Sequence, residues 1–244
     1  MTMKRLLPAA IAALALSAGL PATAQDWAGQ LTPYVWATGL GGDLTPRAGA
    51  PTLSFDKSFS DVLEDLDGAF FLSGYARRDR LVILGDLSWS SSSREGLVPP
   101  GLPASGKLTQ RSLTLLAGYR ALEAEGVAVD LLAGARAWSI KSSISVAAGA
   151  RTASPRESFV DPIVALRANV ALAPRWSAIL YADLGGFGAG SESTSQIVAT
   201  ANWQANDNLY ISAGYRMLNV DYESGGTRMD VTMSGPLFGL TWRF

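Results

Sequence analysis

Apolar and polar residues alternate along this chain with a period of two. Between 127 and 137 the positions Val127, Val129, Leu131, Ala133, Ala135 and Ala137 are apolar, and the alternate phase carries Asp130, Gly134, Arg136 and Trp138. Residues 176 to 184 repeat the pattern, with Trp176, Ala178, Leu180, Ala182 and Leu184 against Ser177, Tyr181 and Asp183. Side chains of a strand point alternately to its two faces, so this pattern predicts strands with one face on an apolar medium and the other on a polar one. Ten such segments are expected, at 27–38, 68–77, 80–90, 107–119, 127–141, 156–171, 176–186, 194–203, 208–222 and 227–244. The connections between them alternate in length. Those at 39–67, 91–106 and 142–155 are long, and those around Arg78-Asp79, Leu122 to Gly126, Ala173-Pro174 and Asn206-Asp207 are short.

Mean hydropathy is +0.16, high for a water-soluble protein. Beyond the N-terminal segment no run of 18 apolar residues occurs, so no transmembrane helix is expected. Apolarity spread over alternating strands fits an all-β fold: a closed antiparallel transmembrane β-barrel of ten strands, with eight as the alternative. Short periplasmic turns and longer extracellular loops are the build of outer-membrane barrels. The outward phase tests this independently. Trp27, Tyr119, Trp176, Trp203, Trp242 and Phe244 all occupy it, at the short-turn end, where an aromatic girdle belongs. Outward charges such as Arg111, Asp221 and Arg228 occur only near the loop ends. A periplasmic sandwich or lipocalin-like barrel would bury the apolar phase and solvate the other, yet that other phase mixes charges with Gly, Ser, Trp and Tyr.

The N-terminus implies the route. Lys4 and Arg5 precede an apolar stretch from Leu6 to Leu16, too short to span a bilayer, and Ala22-Thr23-Ala24 is a small-x-small cleavage site. Residues 1–24 are therefore expected to be a cleavable export signal, and 25–244 a single barrel domain. The chain has no Cys, so neither lipid attachment through Cys nor a disulfide framework is open to it. The formal net charge is −1, without a basic stripe for nucleic acid.

The last strand reads Gly235-Pro236-Leu237-Phe238-Gly239-Leu240-Thr241-Trp242-Arg243-Phe244. Its outward residues, Phe238, Leu240, Trp242 and Phe244 among them, resemble the C-terminal assembly signal that the barrel-insertion machinery recognises. Pro33-Tyr34-Val35-Trp36, Asp161 to Arg167, Asp183 to Ser191 and Gly214-Tyr215-Arg216 are similar to a widespread proteobacterial group of small outer-membrane β-barrels, loosely related to opacity-type surface antigens. The resemblance covers 25–244. It implies fold, outer-membrane location and contact with outer-membrane lipid, lipopolysaccharide and the assembly machinery, but no activity.

Candidate chemistry is sparse. With neither His nor Cys in the chain, a Ser–His–Asp site, a thiol nucleophile and a His/Cys metal site are excluded. No enzymatic role and no cofactor are expected. Asp65-x-Asp67-Gly68 resembles the start of a calcium loop, but Ala76 stands where the bidentate Glu belongs. Phe59, Val62, Leu63 and Leu66 instead recur at helical spacing, with Asp61, Glu64, Asp65 and Asp67 on the other face. That predicts a short amphipathic helix over 59–67, folding across the barrel mouth. Gly185 to Ser191 looks like a phosphate loop, but a strand rather than a helix follows it, so a tight exterior turn is expected.

The inward phase holds the remaining candidates: Asp86, Asp130, Arg136, Asp161, Arg167, Asp183, Arg216 and Arg243. Asp86, Arg136, Asp183 and Arg216 lie at similar depth, and Asp130, Arg167 and Arg243 nearer the periplasmic end. Opposite charges in a narrow lumen pair, because an unpaired buried charge is costly, and Arg136 and Arg216 are expected to pair with Asp86 and Asp183 across the mid-barrel. Tyr34, Trp36, Tyr75, Trp138 and Tyr181 add bulk. The reading is a filled, salt-bridged lumen in a structural or surface-interaction barrel, with a narrow channel for small solutes or ions as the alternative.

Overall fold

The computed structural model describes residues 27–45, 49, 52–98, 101–146, 151–153 and 156–244. The expected export segment 1–24 lies outside them. In chain order the elements are β1 (Ala28–Trp36), β2 (Gly39–Thr45), β3 (Leu53–Lys57), α1 (Phe59–Glu64), β4 (Leu66–Arg78), β5 (Leu81–Val98), β6 (Leu102–Ala124), β7 (Val127–Val146), β8 (Arg151–Ala153), β9 (Arg156–Ala173), β10 (Trp176–Gly186), β11 (Ser193–Gln204), β12 (Leu209–Ser224) and β13 (Thr227–Arg243). Every pairing is antiparallel, and the order runs β1-β4-β5-β6-β7-β9-β10-β11-β12-β13, closed by β1 on β13. This is a closed barrel of ten strands, so no strand edge is left for the membrane to solvate.

The seam shows how β1 and β2 make one barrel strand. Gln30 pairs with Arg243 and Trp36 with Leu237 on the β1 side, and Gly39 pairs with Ser234 on the β2 side. The register does not slip across the break at Ala37-Thr38. The break falls opposite Gly235-Pro236: Ala37 donates its amide to the Pro236 carbonyl at 2.9 Å, and proline has no N–H to return. Gly235 brings its backbone so near that a Cβ would sit 2.0 Å from the Ala37 carbonyl oxygen. At the other end of the seam Gly29 and Phe244 exchange backbone hydrogen bonds of 2.8 and 2.9 Å.

The segments expected to be long loops are largely paired strand. β5 and β6 run on as a ribbon to Val98 and Leu102, β7 continues to Val146 and takes β8, and 39–67 contains β2, β3 and α1. The period-two signal stops there because beyond the membrane both strand faces meet water. The backbone ladder continues regardless, since it satisfies its own N–H and C=O groups. A helix capped by a reciprocal Ser58–Asp61 box forms within the expected 59–67, but it ends at Glu64, and Leu66 and Asp67 belong to β4. It does not cover the mouth: none of its residues is buried, and it rests against β2 and β3.

The outer surface is apolar through the middle of the barrel. Val35, Leu115, Leu131, Val164, Leu184 and Phe238 are among many large apolar side chains at least half exposed. No water-soluble surface sustains that. Trp27, Tyr119, Trp176, Trp203, Trp242 and Phe244 lie exposed at the short-turn end. Trp176 pairs across strands with Trp203, Trp242 packs edge-on against Phe244, and the Tyr119 hydroxyl accepts from Arg80 at 2.6 Å.

Candidate functional site in the barrel lumen

Period two turns each inward residue toward its counterparts on the far wall. At mid-height these residues form one connected hydrogen-bonded layer. From β1, the Tyr34 hydroxyl donates to Asp86 Oδ2 on β5 at 2.9 Å. Arg216 on β12 pairs with Asp86 at 3.3 Å, donates to the Tyr34 hydroxyl, and makes two bonds of 3.0 and 2.7 Å to Gln196 Oε1 on β11. The Gln196 amide reaches Asp183 Oδ2 on β10 at 3.3 Å, and the Tyr181 hydroxyl reaches the same oxygen at 2.7 Å. Arg136 on β7 closes a bidentate pair on Asp183 at 2.5 and 3.3 Å, with its Nε on Thr114 of β6 at 3.0 Å. The chain of contacts therefore ties β1, β5, β6, β7, β10, β11 and β12 together across the lumen.

Most of these side chains are buried. Arg136 is 1 % exposed, Asp183 and Arg216 3 % each. A charge so placed survives only when its hydrogen bonds are filled by fixed partners. Arg216 also lies over the Trp36 ring at 4.6 Å, which gives its cation a second, π-type partner.

A second charged layer lies nearer the short-turn end. Asp130, fully buried, accepts from Arg120 at 2.8 Å, from Arg167 at 3.4 Å and from the Tyr75 hydroxyl at 2.9 Å. Arg167 stacks 4.3 Å from the centre of the Tyr75 ring. Between the two layers the wall is divided. Val82, Leu84, Leu116, Leu132 and Ile163 pack as an apolar half. Opposite them Thr32, Ser73, Thr200, Asn202, Ser212 and Thr241 border a cavity of about 130 Å³, well under the roughly 300–1,000 Å³ of ordinary small-ligand pockets. Above the mid-height layer, Trp36, Phe71, Trp138, Phe159, Tyr222 and Leu237 fill the lumen with a mostly aromatic cluster. Phe159 stacks on Tyr222 at 4.4 Å.

Two of the candidate residues behave differently from expectation. Asp161 is fully buried and lies in register with Arg136, yet no cation pairs with it among the described residues. Arg136 reaches past β9 to Asp183 on β10 instead, and Asp161 Oδ1 accepts from the Ser191 amide at 2.7 Å and hydroxyl at 2.9 Å. It thereby anchors the glycine-rich turn after β10. Gly186, Phe187 and Gly188 take positive φ there, but the turn is not wholly exterior, since Ser191 is 1 % exposed. Asp161 Oδ2 has no hydrogen-bond partner. Arg243 also lacks a carboxylate partner among the described residues. It lies 3.8 Å from the Tyr210 ring centre, on the rim of an open recess of about 320 Å³ at the short-turn mouth.

Arg120, Thr114 and Gln196 join the network without having been singled out. Arg120 shares the inward phase of Leu116 and Gly118, one residue past the strand end expected at 119. Gln196 shares the phase of Thr194 and Val198. In both cases the alternation marks the face, but an uncharged or strand-terminal residue gives no reason to choose it.

No protein-family model and no curated protein matches the sequence. Among solved structures, the outer membrane protease OmpT of Escherichia coli is similar in fold, with a TM-score of 0.59 at 11% identity over 90% of this chain and 97% of that one. The chain has the fold of an outer-membrane β-barrel. The translocator domain of the autotransporter NalP from Neisseria meningitidis aligns with a TM-score of 0.48 at 12% identity, over 89% of this chain and 88% of that one. Ail of Yersinia pestis, in complex with the heparin analogue sucrose octasulfate, aligns with a TM-score of 0.40 at 14% identity, over 89% and 98%.

Proposed function

We propose that this barrel is a structural or surface-interaction element of the outer membrane, with a lumen closed to solutes. The observation that carries the reading is the mid-height layer, in which Tyr34, Asp86, Arg216, Gln196, Asp183, Arg136 and Thr114 are hydrogen-bonded in one chain from wall to wall. The aromatic cluster above it and the Asp130 layer below it leave only a small cavity between them. In this reading residues 1–24 carry the chain out of the cytoplasm, and the outward residues Phe238, Leu240, Trp242 and Phe244 present the last strand to the barrel-assembly machinery. OmpT is a protease, but the shared fold transfers no chemistry at 11% identity. Without His or Cys acid–base work would fall to carboxylates, and Asp86, Asp130 and Asp183 are each held by arginine instead.

The second reading, a narrow channel, is favoured by the small polar side chains on one wall of the cavity, from Thr32 to Thr241. Liposome swelling separates the two. Proteoliposomes of the full barrel in isotonic arabinose or glycine should swell no faster than empty ones. Swelling that scales with protein content would establish the channel.

A further inference from the structure

The charges on the outer surface are not scattered. On β6 the outward residues climb from the girdle residue Tyr119 through Ala117, Leu115 and Leu113, and the first charge is Arg111. On β7 they climb through Leu131, Ala133, Ala135 and Ala137 to Ser139 and Lys141. On β9 they climb through Leu166, Val164, Pro162 and Val160 to Ser158 and Arg156. The registers place these ends side by side. Arg111 pairs with Ser139 and Ser139 with Ser158, while in the next row Thr109 pairs with Lys141 and Lys141 with Arg156. Three cations and the hydroxyls between them thus occupy adjoining positions on three adjacent strands.

Two further observations fix the level and the availability of this cluster. Trp89 on β5 pairs with Arg111, and Phe70 on β4 with Trp89, so an outward tryptophan marks the row as the interface between apolar belt and headgroups. Arg111, Lys141 and Arg156 are all exposed, and none is within ion-pair distance of a carboxylate among the described residues. Cations nearby are used differently. Lys107 is bound to Asp67 at 3.0 Å and Lys57 to Asp65 at 2.5 Å. On the diametrically opposite wall Asp221, Asp230 and Asp43 share one cross-strand row on β12, β13 and β2, with Arg228 and Glu223 paired in the row beyond.

We propose that Arg111, Lys141 and Arg156, with the hydroxyls of Ser139 and Ser158 between them, bind the phosphate groups of an anionic glycolipid headgroup at the long-hairpin edge of the membrane. The adjoining Leu113, Ala137 and Val160 receive its acyl chains. Neighbouring strands are about 4.8 Å apart, so the cluster spans one headgroup. Guanidinium forks bind phosphate oxygens in pairs. The site lies on the outside of the barrel, so it stands whether or not the lumen conducts.

The test uses the full barrel in a neutral detergent, titrated with diphosphorylated lipid A and, separately, with the same lipid dephosphorylated. Binding is read as the rise in the temperature at which the barrel loses its heat-resistant gel mobility. The triple variant Arg111→Gln, Lys141→Gln, Arg156→Gln should keep its fold and its unliganded midpoint. Its apparent affinity for the phosphorylated lipid should fall on the order of a hundredfold, since each interfacial cation contributes several-fold. The dephosphorylated lipid should leave the wild-type midpoint where it is. The control Asp43→Asn, Asp221→Asn, Asp230→Asn should bind the phosphorylated lipid no more weakly than wild type. Equal binding by wild type and the Gln variant would overturn the proposal. So would a lipid-independent dimer abolished by either triple variant, which would mean that the basic wall of one copy meets the acidic wall of another.

Discussion

Strand β6 has two faces that meet different surroundings over the same few residues. Outward, Leu113, Leu115 and Ala117 present no polar side-chain atom to the membrane. Inward, Ser112, Thr114 and Arg120 are all buried, and each is hydrogen-bonded to its cross-strand neighbour: Ser112 to Ser88, Thr114 to Arg136, Arg120 to Asp130. The two faces are about equally starved of water. The lipid face meets that condition by carrying nothing polar, the lumen face by giving its polar groups partners built into the neighbouring strands. Burial alone therefore does not decide which residues a barrel tolerates. What decides is whether the surrounding strands supply a partner: outward Leu115 has Gly85 and Ala135 beside it, while inward Thr114 has Arg136.

That contrast can be broken most severely at Arg136. Arg136→Ala leaves the buried Asp183 carboxylate with only hydroxyl and amide donors, and it should destabilise the folded barrel by about 3–5 kcal/mol in a guanidinium titration monitored by tryptophan fluorescence. The paired change Arg136→Met with Asp183→Leu should recover most of that loss, because it removes both halves of the obligation. A double variant as weak as the single one would mean that the pair itself, and not the stranded charge, sets the cost.

The lipid face should respond in the opposite sense. Leu115→Arg places a cation where no partner exists, at the middle of the apolar belt, and should cost about 2–4 kcal/mol in phospholipid vesicles. A near-neutral result would show that the outer face of β6 is not in lipid. Smallest of the three is Thr114→Val, which keeps shape but removes the acceptor for Arg136 Nε. It should cost about 1.5–3 kcal/mol, the range for a hydrogen bond to a charged group. If it costs nothing, the bidentate contact with Asp183 holds Arg136 unaided.

Strand number and inside–outside phase are legible in the sequence because the two media differ so sharply. All ten expected segments correspond to barrel strands, most within a few residues. Legibility fails where the media stop differing. Past Ser90 on β5 and Lys141 on β7 both faces are wet, alternation fades, and paired ribbon reads as loop. In the lumen the shared phase and depth of Arg136, Arg216, Asp86 and Asp183 make the mid-barrel set of pairs legible, and they form as Arg136 with Asp183 and Arg216 with Asp86. Which carboxylate each arginine takes is not legible: Arg136 has Asp161 beside it in register but pairs with Asp183 two strands along, while Asp161 accepts from Ser191, a tertiary arrangement that spacing does not encode. Gln196 bridges two ion pairs and carries no charge that would draw attention to it.

The central claim, that fixed partners across the lumen close this barrel, is tested most directly by single-channel recording of the wild-type protein and Arg136→Ala in the same planar bilayers. The account predicts a nearly silent wild type, with the layer from Tyr34 to Thr114 proposed as the block, and a variant that conducts more than wild type as the layer opens around Asp183. A wild type with large, steady conductance, whose selectivity merely shifts toward cations in the variant, would contradict it and make the same charges the lining of a pore.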